Sequence, residues 1–226
     1  MPDEPADDVI ESPTQLRMLA DDGELAGKTM RGLVVPRASL AGKDLDSVKM
    51  HRVGFQEADL TNARLEHAEL RSVEMIRAQL DGALLHRVNA HDCDFTEISL
   101  AGAELRRCEL GPQLRMPKAK LVGAKIQATT FRAVELYGAN FRNAVILRSH
   151  FVDYGNSTAS LTRAQLVEAV LIEVDLREVN LYGADLSRAL LVRCDLRAAR
   201  LDSAVLEGAR LIDCRTEGAD LSGATV

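Results

Sequence analysis

From Ala58 to Leu80 the chain reads ADLTN ARLEH AELRS VEMIR AQL, and every fifth residue is large and apolar: Leu60, Leu65, Leu70, Met75 and Leu80. Two places before each stands a small residue: Ala58, Ala63, Ala68, Val73 and Ala78. The other three places are mostly polar or charged. A period of five is neither the 3.6 of a helix nor the 2.0 of a lone strand. It predicts a solenoid whose sides are very short strands, each followed by a turn, with the small and large slots facing the axis.

The same phase runs far beyond that stretch. Leu25, Met30 and Val35 keep it, but the small slots there hold Gly23, Lys28 and Leu33, so regular repeats are expected from Ala38. A one-residue slip falls in 111–118. A second weak patch, 152–160, keeps the count while placing Asn156 and Tyr154 in core slots, so a small bulging loop is expected there. The phase then holds from Leu161 to Val226. Three segments follow: an acidic, disordered leader over 1–12, an N-terminal cap over 13–35, and a β-helix over 36–226 with irregularities at 111–118 and 152–160. Within the cap, Ser12-Pro13 followed by Leu16 and Leu19 predicts a short helix ending near Gly23. Such a cap covers strand edges that would otherwise invite pairing. Gly recurs two places after the large slot, at Gly42, Gly82 and Gly102 among others, which predicts a turn with positive φ.

ADLTN (58–62), ADLSR (184–188) and ADLSG (219–223) resemble the pentapeptide-repeat family, whose motif is A-(D/N)-L-x-x. The resemblance implies an all-β fold, a right-handed quadrilateral parallel β-helix with four pentapeptides per coil. At ~4.8 Å between neighbouring strands the rod would be roughly 45 Å long. Residues twenty apart should stack when no slip intervenes, so Phe131 is expected beside Phe151 and Leu176 beside Leu196. An Asp or Asn just before the large residue, as at Asp59, Asp94, Asn140, Asp175, Asp185, Asp195 and Asp220, is a family feature with an expected structural role.

Composition narrows the function. There is no Trp and aromatics are 4% of the chain, which suits a narrow Leu/Ala core. No apolar run is long enough for a membrane span. The leader lacks the basic and apolar regions of a signal peptide, which points to the cytoplasm. Formal net charge is −6 and is concentrated before residue 36. The nearly neutral remainder lacks the basic excess of a direct nucleic-acid binder. Cys93, Cys108, Cys194 and Cys214 all occupy small inward slots and form no C-x-x-C, so they read as core thiols rather than zinc ligands. His67, His86 and His91 point outward with nothing to orient the rings. Carboxylates from residue 36 on lie in outward slots of a convex rod, and no phosphate loop or nucleophile motif is present. No catalytic residue, metal or cofactor is expected.

One outward feature breaks the polar pattern. Val152, Ile172, Val192 and Ile212 each follow a large slot at intervals of twenty, while Val170 and Leu190 precede one. Val145, Leu147 and Val167 add an adjacent patch. An apolar strip of a few hundred Å² is on the order of the largest patch on an ordinary monomer. It reads as a protein interface, or as a β-branched ladder that only stacks on itself, or as a surface covered by the N-terminal segment. The expected function is therefore a non-enzymatic interaction scaffold, self-associating as a homodimer through its C-terminal half. ADLSGATV stays in phase to Val226 without a capping helix, which fits end-to-end contact of two rods, continuation in a longer protein, or fraying. The family resemblance implies an alternative: a DNA mimic that binds DNA gyrase or topoisomerase IV and protects it from inhibitors. That mechanism requires a continuous acidic stripe along one side.

Overall fold

The computed structural model describes residues 8–155 and 157–226, and in it each five-residue repeat forms one side of a square coil. In chain order the elements are β1 (Val9–Ile10), α1 (Pro13–Asp22), β2 (Thr29–Arg31), β3 (Lys49–His51), β4 (Glu69–Arg71), β5 (Leu84–His86), β6 (Asn89–His91) and β7 (Glu104–Arg106). They continue with β8 (Glu109–Leu110), β9 (Lys125–Gln127), β10 (Thr130–Arg132), β11 (Val145–Leu147), β12 (His150–Val152), β13 (Val170–Ile172), β14 (Leu190–Val192) and β15 (Arg210–Ile212). One side is a parallel sheet in the order β1-β2-β3-β4-β6-β8-β10-β12. The next side is a second parallel sheet, β5-β7-β9-β11-β13-β14-β15. The other two sides are columns of single parallel bridges, such as Val34↔Gly54↔Glu74 and Ser39↔Asp59↔Gln79. Together they make a parallel β-solenoid of about 10 turns.

Small and large slots face the axis, with Leu65 at 0% and Leu186 at 1% exposure. The geometry closes because the turn after each large residue uses positive φ two places on. Gly does this at Gly42 and Gly102, but so do Arg37, Glu57, Asn62 and Arg193, at φ of 58, 58, 56 and 51°. An L-residue in that region costs roughly 1–2 kcal/mol. The turn is retained because it brings the next small residue back to the core, as when Ala58 N–H donates to Phe55 O at 3.1 Å. The Asp or Asn before the large residue serves the same corner. Asp59, Asp94, Asn140 and Asp185 each accept, through a side-chain oxygen, the amide two residues on, at 2.9–3.0 Å. An otherwise unpaired N–H is satisfied, so this motif residue is structural.

The small slot also admits Thr129 and Ser149, both fully buried. Their hydroxyls bond within the wall: Thr129 Oγ1 to Gln127 O at 3.2 Å and Ser149 Oγ to Leu147 O at 2.9 Å. Phe131 pairs with Phe151 in register, and their rings stack with centroids 4.5 Å apart and 3° between planes. Asp175 bridges Asp195, which sets Leu176 beside Leu196.

Two coils depart from twenty residues. Asp94 pairs with Arg115, twenty-one on, where the chain slips at 111–118. Gly111 (φ 107°) passes so close to the Arg132 carbonyl oxygen that a Cβ there would collide with it. At the second irregularity the coil is longer by a whole repeat: Glu135 pairs with Ser160 and Val145 with Val170, each twenty-five on. A loop follows β12, pinned by the antiparallel Tyr154↔Ser157 bridge and by Asp153 Oδ1 accepting Ala159 N–H at 2.9 Å. The solenoid therefore does not keep a twenty-residue column across this point.

At the N-terminus the disordered-leader expectation over 1–12 needs correction where the chain is described; residues 1–7 lie outside the described residues. Val9–Ile10 is a strand, registered on Thr29–Met30, and Ile10 is fully buried. The coil also begins before residue 36, since Leu25, Met30 and Leu33 are already core. Between them lies α1. Ser12 accepts Gln15 N–H at 3.2 Å as the N-cap, Pro13 opens the helix, and Gly23 (φ 77°) closes it. Leu16 and Ala20 of α1 pack on the first coil. At the other end the axis-facing Leu211 and Leu221 are 41% and 48% exposed.

Candidate interaction surface

The side built from β11, β13, β14 and β15 carries the apolar surface. Its strands pair Val145↔Val170↔Leu190↔Arg210 in one outward column and Leu147↔Ile172↔Val192↔Ile212 in the other, two residues along. Within a strand these positions alternate with the axis-facing Ile146, Leu171, Leu191 and Leu211, so both columns point outward. Six of the seven apolar members are half-buried by their stacked neighbours, and Ile212 is 37% exposed. Toward the N-terminus the same side turns polar, with Lys125 and Gln127, then Glu104 and Arg106, before Leu84 and His86 mix the two characters.

Two expected members are placed differently. Val152 is not in the Ile172 column. It pairs with Arg132 in β10, on the neighbouring sheet, and Leu147 stands where Val152 was expected. The cause is the twenty-five-residue coil, which moves everything before the loop by one side of the square. Val167 lies in the turn ahead of β13 and is only 9% exposed, so it offers little surface. Val145, Leu147, Val170, Ile172, Leu190, Val192 and Ile212 are brought together on one face.

Charged corners border this face. On the side following the strands, the turn residues stack in the order Arg148, Glu173, Arg193, Asp213. Arg148 Nε lies 3.0 Å and Arg193 Nη2 2.7 Å from the Glu173 carboxylate. The hydrogen bond from Arg148 and the charge of Arg193 hold the Glu173 carboxyl below its ordinary pKa. On the opposite side the stack is Asn143, Glu168, Arg188, Gly208, with Arg188 3.5 Å from Glu168.

Similar alternation recurs elsewhere. Arg37 and Arg77 both bind Glu57, at 2.9 and 2.6 Å. Asp175 and Asp195 are each clasped by an arginine two residues on, Arg177 and Arg197, at 2.6 Å. Burial pushes the Asp175 carboxyl up, yet the Arg177 bonds outweigh it and the net shift is downward; for Asp195 the Arg197 bond dominates. Among the described residues, no outward column holds acidic side chains in three successive coils. Among the described residues the columns hold no continuous acidic stripe of the kind the mimic reading requires.

The cysteines are free. Burial pushes the Cys93 thiol up to about 12 and those of Cys108 and Cys194 to about 11. Cys108 Sγ donates to Leu85 O at 2.9 Å, so the thiols act as wall residues. His67 Nδ1 sits 3.0 Å from Asp46, and among the described residues no group of three His, Cys, Asp or Glu could hold a metal ion. No helix of the described residues is long and apolar enough to cross a membrane.

The five-residue repeat is one that a known protein family shares. A family model described as pentapeptide repeats matches residues 49–87, 158–191 and 189–225, in 8 copies. No curated protein matches the chain. Among solved structures, HetL, a pentapeptide repeat protein involved in heterocyst differentiation regulation from the cyanobacterium Nostoc sp. strain PCC 7120, is 23% identical. The match covers 95% of this chain and 94% of HetL, with a TM-score of 0.38. Full-length QnrB1, a plasmid-mediated fluoroquinolone resistance protein, is 16% identical over 84% of this chain and 92% of its own, with a TM-score of 0.41.

Proposed function

The chain belongs to the pentapeptide-repeat family, and on that premise we propose that it is a non-enzymatic interaction scaffold whose binding surface is the β11–β13–β14–β15 face. The observation that carries this reading is the contrast within one sheet. The same two outward columns hold Glu104, Arg106, Lys125 and Gln127 in β7 and β9, and seven aliphatic side chains with Arg210 in β11, β13, β14 and β15. The fold does not require that change, because the large core slots are buried on both sides of it as far as Leu206. On a solvated face stacked aliphatic residues contribute only to strand pairing, whereas an interface buries them as well. The ladder of β-branched neighbours adds strand stability, but it would do so equally well in the N-terminal half.

Gyrase or topoisomerase IV protection by mimicry is the weaker reading. Among the described residues no outward column runs more than two acids in succession, so a phosphate-like row of negative charge has no support in the side chains.

The test is capture with the purified full-length chain. Wild type and an Ile172→Asp/Val192→Asp variant are immobilised, and bound proteins are identified after exposure both to the untagged chain and to an extract of the native cell. Both positions are outward, so circular dichroism should be unchanged. Loss of the captured proteins from the variant supports the reading. Identical captured sets on both would refute it.

A further inference from the structure

We propose that the partner of this face is a second copy of the chain, docked with the two rods antiparallel and the two-fold axis running along the strand direction between β13 and β14. The inference rests on the reading of the face as an interface and identifies its occupant.

The borders of the face carry the argument. Rotation about an axis along the strands keeps each border facing its own counterpart and reverses the order of the coils. With the axis between β13 and β14, Arg148 meets Asp213 of the second copy and Glu173 meets Arg193. On the other border Glu168 meets Arg188, while the uncharged Asn143 meets Gly208. Every charged position on both borders then faces an opposite charge. The apolar columns follow: Val170 lies over Leu190, Ile172 over Val192, and Leu147 over Ile212. Arg210 crosses Val145 at the margin, where its aliphatic stem can cover the valine and its head reach water.

The alternatives fail on the same residues. A two-fold axis along the rod would bring one border against the other, placing Glu173 against Glu168 and Arg193 against Arg188. Shifting the antiparallel axis onto β13 sets Glu173 against itself, and shifting it onto β14 does so for Arg193. Moving it to between β11 and β13 carries Leu190 over Lys125 of the polar half. Like charges facing each other at an interface are what excludes a wrong register. Of the registers that avoid like charges and the polar half, this one covers all four apolar strands.

The size sets the strength. Four strands at ~4.8 Å and a side of about 10–15 Å give a few hundred Å² per copy, below the ~800 Å² per partner of a stable complex. The pair is therefore a weak dimer that needs high protein concentration.

Sedimentation equilibrium of the full-length chain at about 100 µM and low salt tests it. The wild-type mass should rise above 24.7 kDa toward twice that value with concentration. Glu173→Arg and Arg193→Glu, each alone, should weaken dimerisation by about tenfold or more, and the double exchange should restore it to within about threefold. Circular dichroism establishes that each variant is folded. A monomeric wild type overturns the proposal while leaving the scaffold reading to the capture experiment, where a foreign protein would then occupy the face. A dimer that ignores both single reversals also overturns it and points to contact elsewhere, such as the open end at Leu211 and Leu221.

Discussion

The stacked pair Phe131–Phe151 offers the sharpest test of the coil register, because its rings touch only if β10 and β12 are neighbours. Both are fully buried, and the rings lie parallel with centroids 4.5 Å apart. Phe131→Leu removes about three buried carbons at ~0.8 kcal/mol each and leaves a small void, for a cost of about 2–3 kcal/mol. Phe151→Leu should cost the same. Once one ring is gone the second has less to lose, since an aromatic pair contributes about 0.5–1.5 kcal/mol beyond its buried area. The double variant should therefore be destabilised by about 1 kcal/mol less than the sum of the singles. Urea unfolding followed by circular dichroism measures the total. Because a solenoid can open coil by coil, native-state hydrogen exchange supplies the local value. The amide of Phe151, bonded to Asp175 O at 3.0 Å, and that of Leu136, bonded to Ser160 O at 2.8 Å, report on the coils involved. Single costs below about 0.5 kcal/mol would mean the residues are not in a packed core. Full-sized single costs that add to within about 0.3 kcal/mol would mean the rings are apart and the register is wrong.

Three further outcomes follow from the same packing. Deleting Tyr154–Thr158 should shorten the twenty-five-residue coil to twenty and leave the rest of the solenoid intact, with an unchanged circular dichroism spectrum and undiminished thermal stability; loss of the fold would show that the loop holds the coils together. Alkylation of the native protein by iodoacetamide near pH 8 should label Cys214 first, in the exposed last coil, while Cys93, Cys108 and Cys194, with pKa values of about 12, 11 and 11, stay protonated and slow; four equal rates in peptide mass spectrometry would contradict this. Asp175 and Asp195 have depressed pKa values in the fold, so their stabilising contribution is present above the unfolded carboxylate value near ~3.9 and is lost as pH falls through the lower folded values. Asp195→Asn should therefore flatten the loss of stability below about pH 4, read from urea midpoints against pH, and an unchanged acid limb would refute the role of the Arg197 pair.

The five-residue period was legible in the sequence because it is a local property. Whether a side chain points in or out depends on its place in its own repeat, so Leu65, Leu186, Phe131 and Cys194 could be assigned to the core without knowing what lay above or below them. The same holds for Asp59 and its relatives, whose partner is the amide two residues on, and for α1, whose cap residues Ser12, Pro13 and Gly23 adjoin it in the chain. Packing of Val9–Ile10 on β2 was not legible, because two apolar residues in an acidic stretch carry no period. Which outward residues become neighbours is a different kind of fact. It depends on how many residues make a coil, and twenty-five is as good a multiple of five as twenty. An extra repeat's length of chain between Val152 and Ala159 leaves the phase untouched while turning everything before it by one side of the square. The sequence therefore determined that aliphatic residues cluster outward in the C-terminal half. Only the hydrogen-bonded register decided that Leu147 joins Ile172, Val192 and Ile212, that Val152 stands on the neighbouring sheet beside Arg132, and that Arg148, Glu173, Arg193 and Asp213 alternate along one border.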